Sequence, residues 1–422
     1  MSRINTITGI DIGNSFVKTV VVQPDKESWA PKILGVGVSE SGGLRKGVVI
    51  DMGETIRDIA DSVKKAEAMA GIKVHRAYVS VNGLHIKSQL SRGVIAVSRA
   101  DNEIAPNDVE RVVDAASIVS LPANREVIHV IPKNYLVDGQ EYVKNPLGMK
   151  GVRLEAEVLI IDGLSPYIRN LAKCLSANDI EVAEFVFSPL ASSCAVLDKS
   201  QREHGVLSLD LGGGVSTVSF FHEGELVFAS TLPIGSRHIT NDLAIALRTS
   251  MDAAEQVKLQ YAFASPYSAI QKGQNAHSHK DEIDLSELVG EEEFIIPRKN
   301  IYKIVEARVL EVFDVLQNEL KKIPYSGLMP AGVVITGGGA KLPGLSRFVK
   351  EKLKLPVRIG ARFPLDGLAD NFGDPALAVA VGLALYGFDK EMTDKNQNKE
   401  INSGQLLVPV KKFLSWLKNF SP

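Results

Sequence analysis

This sequence contains little cysteine, and neither sign of charge is in large excess. The two cysteines, Cys174 and Cys194, are too few for a disulfide framework and too far apart for a metal-ligand spacing, so we expect a reducing compartment. Lys and Arg total 48 against 50 Asp and Glu among 422 residues. This balance argues against nucleic acid as a partner.

Long apolar runs are also absent. The longest nearly continuous one, residues 376–388, is interrupted by Gly382 and Gly387 and is shorter than the ~18 residues that a membrane-spanning helix needs. Residues 1–9 lack the apolar stretch of a signal peptide. We therefore expect a cytosolic chain without a transmembrane helix.

Two similar strand pairs are present instead. In the first pair, one predicted strand starts at Ile7 and the other covers 17–22. The second pair covers 206–211 and 217–221, and in both pairs a glycine turn lies between the two strands. Apolar periodicity predicts helices over 54–70 and 301–320. The repetition of strand, Asp, glycine turn and strand predicts a duplicated architecture.

Other segments interrupt this duplication. Residues 84–163 are expected to form a compact α+β unit, with a helix starting near Pro106 and strands over 127–131, 135–137 and 158–161. The polar composition of 271–293 predicts an exposed loop. The mixed charges of 389–404 predict a flexible tether.

Three glycine turns, each directly after an apolar strand, are the candidate ligand-binding motifs of the sequence. Glycine lets the main chain approach a polyphosphate, and exposed N–H groups at such turns bind its oxygens. Because carboxylates repel bare phosphate, we expect Asp11 and Asp210 to hold a hydrated Mg²⁺ between them. The glycine patterns of P-loops and dinucleotide-binding folds are missing at these turns. The turns contain Asp11, Gly13, Asn14 and Ser15; Asp210, Gly212, Gly213 and Gly214; and Gly337, Gly338 and Gly339.

These turns, with the helix after Asp374, resemble the nucleotide-binding motifs of the actin, heat-shock chaperone and sugar-kinase ATPase superfamily. Residues 41–47, 129–132, 148–154 and 188–191 are similar to phrases of the bacterial cell-division family FtsA, and the similarity extends over about 7–388 and the C-terminal tail. It implies an α/β, actin-like two-lobed ATPase fold with an inserted α+β subdomain and a C-terminal amphipathic helix. ATP and Mg²⁺ would lie between the lobes.

The resemblance also implies a division into subdomains. The inserted one would help to recruit later division proteins. The expected segments are 1–84 and 164–205 for subdomain 1A, 85–163 for the inserted subdomain 1C, 206–239 and 306–388 for 2A with the connecting helix, 240–305 for 2B, 389–405 for a flexible linker and 406–422 for a membrane-targeting helix.

Further site residues follow from the same resemblance. Lys18 lies near the first phosphate loop, Glu255 and Lys258 match family positions near ribose and base, and the third turn would pack against adenosine. The second loop departs from the family's usual Gly-Thr-Thr-Asp, because Val215, Ser216 and Thr217 follow Gly214. No obvious water-orienting Glu or Gln occurs between 185 and 197. We therefore expect ATP to bind and to be turned over slowly if at all.

The C-terminal segment 409–420 predicts an amphipathic helix. At 100° per residue its apolar side chains occupy one sector and its lysines the other. Twelve residues rise only about 18 Å, against a hydrocarbon core of roughly 30 Å, so the helix lies in the interface of an anionic membrane. A helix packed on its own domain or on a second copy is the alternative. The expected membrane-binding residues are Val410, Lys411, Lys412, Phe413, Leu414, Trp416, Leu417, Lys418 and Phe420.

The resemblance implies partners as well. Members of the FtsA family bind the C-terminal peptide of the tubulin-like FtsZ, here through Arg298, Arg308 and Glu311, although Arg308 and Glu311 could equally form an ordinary surface ion pair. We expect an ATP-binding adaptor that forms filaments with itself and holds FtsZ at the cytoplasmic face of the inner membrane, at the division site. A pilus-assembly adaptor and a sugar-kinase-like phosphotransferase are the alternatives.

Overall fold

The structure is a computed structural model that describes residues 6–25, 28–140, 142–264, 282–290, 293–322, 329–361, 366–367 and 373–401. The strands are β1 Ile7–Ile12, β2 Phe16–Pro24, β3 Pro31–Glu40, β4 Leu44–Arg45, β5 Val48–Val49, β6 Arg76–Val81, β7 Lys87–Ala96, β8 Arg125–Val137, β9 Tyr142–Val143, β10 Arg153–Leu164, β11 Glu181–Phe187, β12 Val206–Leu211, β13 Ser216–His222, β14 Glu225–Leu232, β15 Glu282–Asp284, β16 Ile295–Pro297, β17 Val333–Thr336, β18 Val357–Ile359 and β19 Asp366–Gly367. The helices are α1 Met52–Ala70, α2 Pro106–Ser117, α3 Ser165–Ser176, α4 Ser188–Val196, α5 Lys199–His204, α6 Arg237–Leu247, α7 Met251–Tyr261, α8 Ser286–Val289, α9 Arg298–Leu320, α10 Leu345–Leu353 and α11 Ala378–Ile401.

The first lobe is built on a six-stranded sheet in the order β11-β6-β1-β2-β3-β19. Strands β1, β2 and β3 form an antiparallel meander, and β6 and β11 follow in parallel on the other side of β1. Helix α1 covers β3. It begins where the Asp51 side chain accepts a hydrogen bond from the Glu54 N–H and ends at Gly71 in a left-handed conformation, φ 69°.

The second lobe repeats this arrangement with a five-stranded sheet in the order β14-β13-β12-β17-β18. Strands β12, β13 and β14 form the antiparallel meander, and β17 and β18 continue in parallel beyond β12. The duplication predicted from the two glycine hairpins is therefore present. The predicted helix over 301–320 is α9 without its first three residues, and α9 packs its apolar face into this lobe.

The inserted unit forms a separate antiparallel sheet in the order β7-β10-β8-β9 with α2 on one face. Gly93 of β7 allows this packing, because a Cβ there would lie 2.3 Å from the Ala116 nitrogen of α2. The strands predicted separately over 127–131 and 135–137 are one continuous strand, β8. Its ladder with β10 contains two register shifts, which keep the long strand paired.

Two helices, α4 and α11, connect the lobes. One apolar cluster around them contains side chains from both sheets, including Val20 and Phe221. The helices cross at Gly382, where a Cβ would lie 1.8 Å from the Ala191 carbonyl oxygen. A glycine is therefore required for this contact between the two connecting helices.

Two predicted irregular segments are partly wrong. Within the expected loop 271–293, β15 and α8 form over 282–284 and 286–289 because Ile283 and Leu285 are buried in the second lobe; residues 271–281 lie outside the described part. Within the expected tether, α11 continues to Ile401. Residues 389–401 contain no Gly or Pro, so a helix that is already nucleated propagates through them.

The structure also gives the state of the two cysteines and the character of the described helices. Cys174 and Cys194 are both free and buried. In the part of the chain that the structure describes, no helix combines the length and apolar character that a membrane crossing requires. The predicted amphipathic helix 406–422 lies outside the described residues.

The crossing of α4 and α11 predicts a strong effect of a single methyl group. Gly382→Ala should lower the free energy of unfolding by about 1–3 kcal/mol, because the added Cβ overlaps the Ala191 carbonyl. Gly53→Ala is a matched control in α1, where the nearest atom to the added Cβ is 3.5 Å away. Urea unfolding measures both, and equal stability of the two variants would contradict this role of Gly382.

Candidate nucleotide site

The first predicted phosphate loop is the turn between β1 and β2. The Gly13 N–H donates to the Phe16 carbonyl at 3.1 Å, which closes the turn directly after Ile12. The side chain of Asn14 is buried and accepts a hydrogen bond from the Gly47 N–H at 3.0 Å. The loop is therefore braced by the segment between β4 and β5.

The second loop is the equivalent turn between β12 and β13. The carbonyls of Gly212 and Gly213 accept hydrogen bonds from the Ser236 and Arg237 N–H groups at 2.8 and 2.9 Å. Gly235 fits beneath this turn, since a Cβ there would lie 2.4 Å from the Gly213 oxygen. With these carbonyls engaged by the start of α6, the loop is held in one conformation.

The two loops touch each other across the lobes. A Cβ on Gly213 would lie 2.2 Å from the Ser15 Oγ, and one on Gly214 would lie 2.9 Å from the Asn14 Cγ. Among the described residues, the N–H groups of Asn14, Ser15, Gly213 and Gly214 make no hydrogen bond. The predicted loops thus come together and offer free main-chain donors, as anion-binding turns do.

The predicted aspartates stand next to these loops. Asp11 is buried; its Oδ2 accepts from the Lys18 Nζ at 3.0 Å and its Oδ1 from the Ser80 Oγ at 3.0 Å. Ser80 also accepts the Ile12 N–H at 3.0 Å. Ser80 carries no sequence signal of its own, since it reaches Asp11 only because β6 lies parallel to β1.

The charges of this cluster influence one another. Burial raises the pKa of Asp210 to about 7, and the negative charge of Asp11 adds to the rise, while Lys18 opposes it. Burial alone would lower the pKa of Lys18, but Asp11, together with Asp210 and Asp374, outweighs it, and the pKa is raised. Two carboxylates therefore share one ammonium group, an arrangement that a cation would relieve.

The third glycine turn, at Gly337–Gly339, lies next to Asp210 and completes the cluster of loops and charged side chains. Gly337 has φ 83°, and a Cβ there would lie 2.1 Å from the Asp210 Oδ1. Its N–H donates to the Pro375 carbonyl at 3.0 Å, in the short turn Pro375–Leu377 that precedes α11. Gly339 packs against the side chain of Leu211, while nothing lies within 4 Å of a Cβ on Gly338.

The predicted ribose and base residues form a cluster of their own. Glu255 Oε2 accepts from the Lys258 Nζ at 2.6 Å and from the Thr240 Oγ1 at 2.5 Å, which joins α7 to α6. Among the described residues, no hydrogen bond or ion pair connects this cluster to Asp11 or Asp210. The placement of Glu255 and Lys258 near a nucleoside stays a prediction.

The residues at which the second loop differs from the usual sequence of the family are buried. Val215 and Thr217 are 4% and 2% exposed, and the Ser216 hydroxyl donates to the Ile234 carbonyl at 2.6 Å. The Thr217 hydroxyl has no hydrogen-bond partner within the described part of the chain. None of these side chains supplies a carboxylate to the loop.

The residues predicted to bind an FtsZ peptide are also engaged within the chain. The Arg308 guanidinium forms a bidentate pair with Asp242 of α6, at 2.6 and 2.7 Å, and a third bond of 2.6 Å to Glu311. Because the hydrogen bond to Asp242 outweighs burial, the pKa of Arg308 is raised. Arg298, at the start of α9, lies over the ring of Tyr261.

Comparisons with solved structures reveal the same architecture in other proteins. A type IV pilus biogenesis complex described as PilM-PilN matches with a TM-score of 0.65 at 16% identity, over 90% of this chain and 98% of that chain. MreB5 of Spiroplasma citri bound to AMPPNP matches with a TM-score of 0.52 at 13% identity, over 95% and 99%. The fold is therefore the expected actin-like one.

Sequence comparisons are more specific. The family model described as "SHS2 domain inserted in FTSA" matches residues 83–162, and the one described as "Cell division protein FtsA" matches 207–382. Curated FtsA proteins of Pseudomonas aeruginosa and Borreliella burgdorferi are 36% and 35% identical over 91% and 94% of this chain and 90% and 94% of their own lengths. The FtsA of Escherichia coli K12 is 30% identical over 98% of this chain and 97% of its own length. With an inserted SHS2 domain in an actin-like fold and these relatives over nearly its full length, the chain belongs to the FtsA family of cell-division proteins.

Proposed function

We propose that this chain is an ATP-binding adaptor that forms filaments and attaches FtsZ to the cytoplasmic face of the inner membrane at the division site. The observation that carries the nucleotide part is the meeting of three glycine turns around Asp11 and Asp210. Free N–H groups, an ammonium group and two carboxylates in one cleft are the groups that a magnesium polyphosphate needs.

The residues present fit this ligand. The N–H groups of Asn14, Ser15, Gly213 and Gly214 would donate to phosphate oxygens, and Lys18 would add a positive charge. Asp11 and Asp210 would hold Mg²⁺ through its water ligands, because hydrated Mg²⁺ prefers few direct carboxylate contacts. When bound, the metal neutralises phosphate charge.

The same residues argue for slow hydrolysis. Attack on a phosphate needs a group that orients water, and the second loop offers only the buried Val215, the engaged Ser216 hydroxyl and the buried Thr217 hydroxyl. Ser188, in the connecting segment, donates its hydroxyl to the Val81 carbonyl at 3.3 Å. We infer that the nucleotide acts as a ligand that favours one state of lobe closure.

Membrane attachment rests on the tail. Helix α11 carries the chain to Ile401, so only residues 402–405 separate it from the predicted amphipathic segment 406–422. Each lysine near an anionic surface contributes about 1 kcal/mol, and a single tail binds weakly and reversibly. A filament that presents many tails gains avidity, which links self-assembly to membrane residence.

A metal test addresses the nucleotide proposal. Asp210→Asn should weaken ATP binding by about tenfold or more when Mg²⁺ is present and little when it is absent, because only the metal-bound complex uses the carboxylate. Asp389→Asn is the control, since burial also raises the pKa of Asp389, to about 6, but Asp389 lies on α11. Calorimetric titration of ATP, with and without Mg²⁺, measures both; identical loss in the two variants would contradict the assignment.

A pair of charge-matched variants addresses the tail. Trp416→Glu should reduce sedimentation with phosphatidylglycerol vesicles by about 100-fold, because it removes a large apolar side chain and adds a negative charge. Asn419→Glu adds the same charge on the polar face and should cost only about fivefold. Equal partitioning of the two variants would remove the amphipathic helix from the proposal.

A third pair separates recognition from structure at Arg308. If the guanidinium binds an acidic peptide, Arg308→Ala should abolish capture of an FtsZ C-terminal peptide, whereas Asp242→Asn should keep or strengthen it by freeing Arg308. Fluorescence anisotropy with a labelled peptide measures both. Similar weakening in both variants would mean that the Arg308–Asp242 pair only joins α9 to α6.

A further inference from the structure

Asn82 occupies the junction between the two lobes and the inserted domain. It follows the last residue of β6 in the first lobe, and the matched SHS2 domain begins at the next residue, Gly83. Its side-chain oxygen accepts two hydrogen bonds, one from the Gly83 N–H at 2.7 Å and one from the Thr231 hydroxyl at 3.0 Å. Thr231 lies on β14 of the second lobe, so one oxygen joins three parts of the molecule.

The same residue borders the candidate nucleotide site. The Asn82 carbonyl oxygen would lie 2.7 Å from a Cβ on Gly47, and the Gly47 N–H donates to the Asn14 side chain in the first loop. Gly214 of the second loop packs on that Asn14 side chain. A short series of direct contacts therefore leads from the two phosphate loops to Asn82.

Beyond Asn82, the inserted domain holds β14 at two further points. The Ser88 hydroxyl of β7 donates to the Ala229 carbonyl at 2.9 Å. The Lys144 ammonium donates to the Glu223 carbonyl, in the turn that leads into β14. Since β14 is also the edge strand of the second sheet, a rotation of the second lobe must either move the inserted domain or break these contacts.

We propose that Asn82 and Thr231 couple closure of the nucleotide cleft to the orientation of the inserted domain. The inference rests on the proposed nucleotide binding and adds a consequence of it. A nucleotide that draws the lobes together moves the inserted domain through β14. If nucleotide changes the affinity of the inserted domain for a partner by some factor, linkage requires that this partner changes the affinity for nucleotide by the same factor.

Two spin labels on the full chain measure this coupling. Ile118→Cys in the inserted domain and Met69→Cys on α1 of the first lobe are suitable, because these side chains are 83% and 45% exposed while the native cysteines are buried. In the otherwise unchanged chain, AMPPNP with Mg²⁺ should shift the distance distribution between the labels. Nucleotide binding is measured in the same samples by calorimetry.

Thr231→Val tests the contact itself. It keeps the side-chain shape and removes the hydroxyl, so the nucleotide-induced shift should fall by at least half and nucleotide affinity by about fivefold. Thr231→Ser should restore both. Ser230→Ala is the matched control on the same strand, because the Ser230 hydroxyl donates to Glu319 within the second lobe, and it should behave like the unchanged chain.

The outcomes distinguish this inference from the function on which it rests. If Thr231→Val binds nucleotide and shows the full distance shift, or if the unchanged chain binds nucleotide without any shift, the coupling is overturned and nucleotide binding stands. If the unchanged chain binds no nucleotide, both are overturned. A variant with lowered thermal stability and a normal shift would also overturn the coupling, because that result is the one a purely structural hydrogen bond gives.

Discussion

The close approach of two glycine turns from separate lobes is the constraint on which the rest of this structure depends. A Cβ at Gly213 or Gly214 would displace the side chains of Ser15 and Asn14, so the absence of a Cβ lets the two loops approach this closely. The two connecting helices, α4 and α11, also cross closely at Gly382. Glycine therefore allows close packing at both places: side chains of the first loop lie on glycines of the second, and the Ala191 carbonyl lies on Gly382.

This geometry has an electrostatic consequence. Asp11 and Asp210 project from equivalent strands, β1 and β12, and both are brought toward Lys18. Lys18 pairs directly with Asp11, whereas no ion pair among the described residues includes Asp210. The cleft therefore retains a carboxylate whose charge is unfavourable until a cation arrives, and this imbalance is the physical basis for the proposed affinity for magnesium polyphosphate.

The inserted domain breaks the symmetry of the two lobes. It leaves the first lobe directly after β6, at the edge of the cleft, and contacts the second lobe along β14. Three of these contacts are hydrogen bonds, from Ser88 to Ala229, from Lys144 to Glu223 and from Thr231 to Asn82, and each contributes about 1 kcal/mol. Such contacts suit a joint that changes with the state of the cleft better than a permanent interface.

Local features could be predicted from the sequence alone: the two glycine hairpins, the helices α1 and α9, and Asp11 and Asp210 at the strand ends. These depend on residues within a few positions of one another. Tertiary structure decided what long-range pairing controls, namely that Ser80 meets Asp11, that Thr231 meets Asn82, and that Arg308 is held by Asp242. It also decided the helix over 389–401 and the strand at 282–284, because propagation from α11 and burial of Ile283 and Leu285 outweigh the polar composition from which a tether and a loop were predicted.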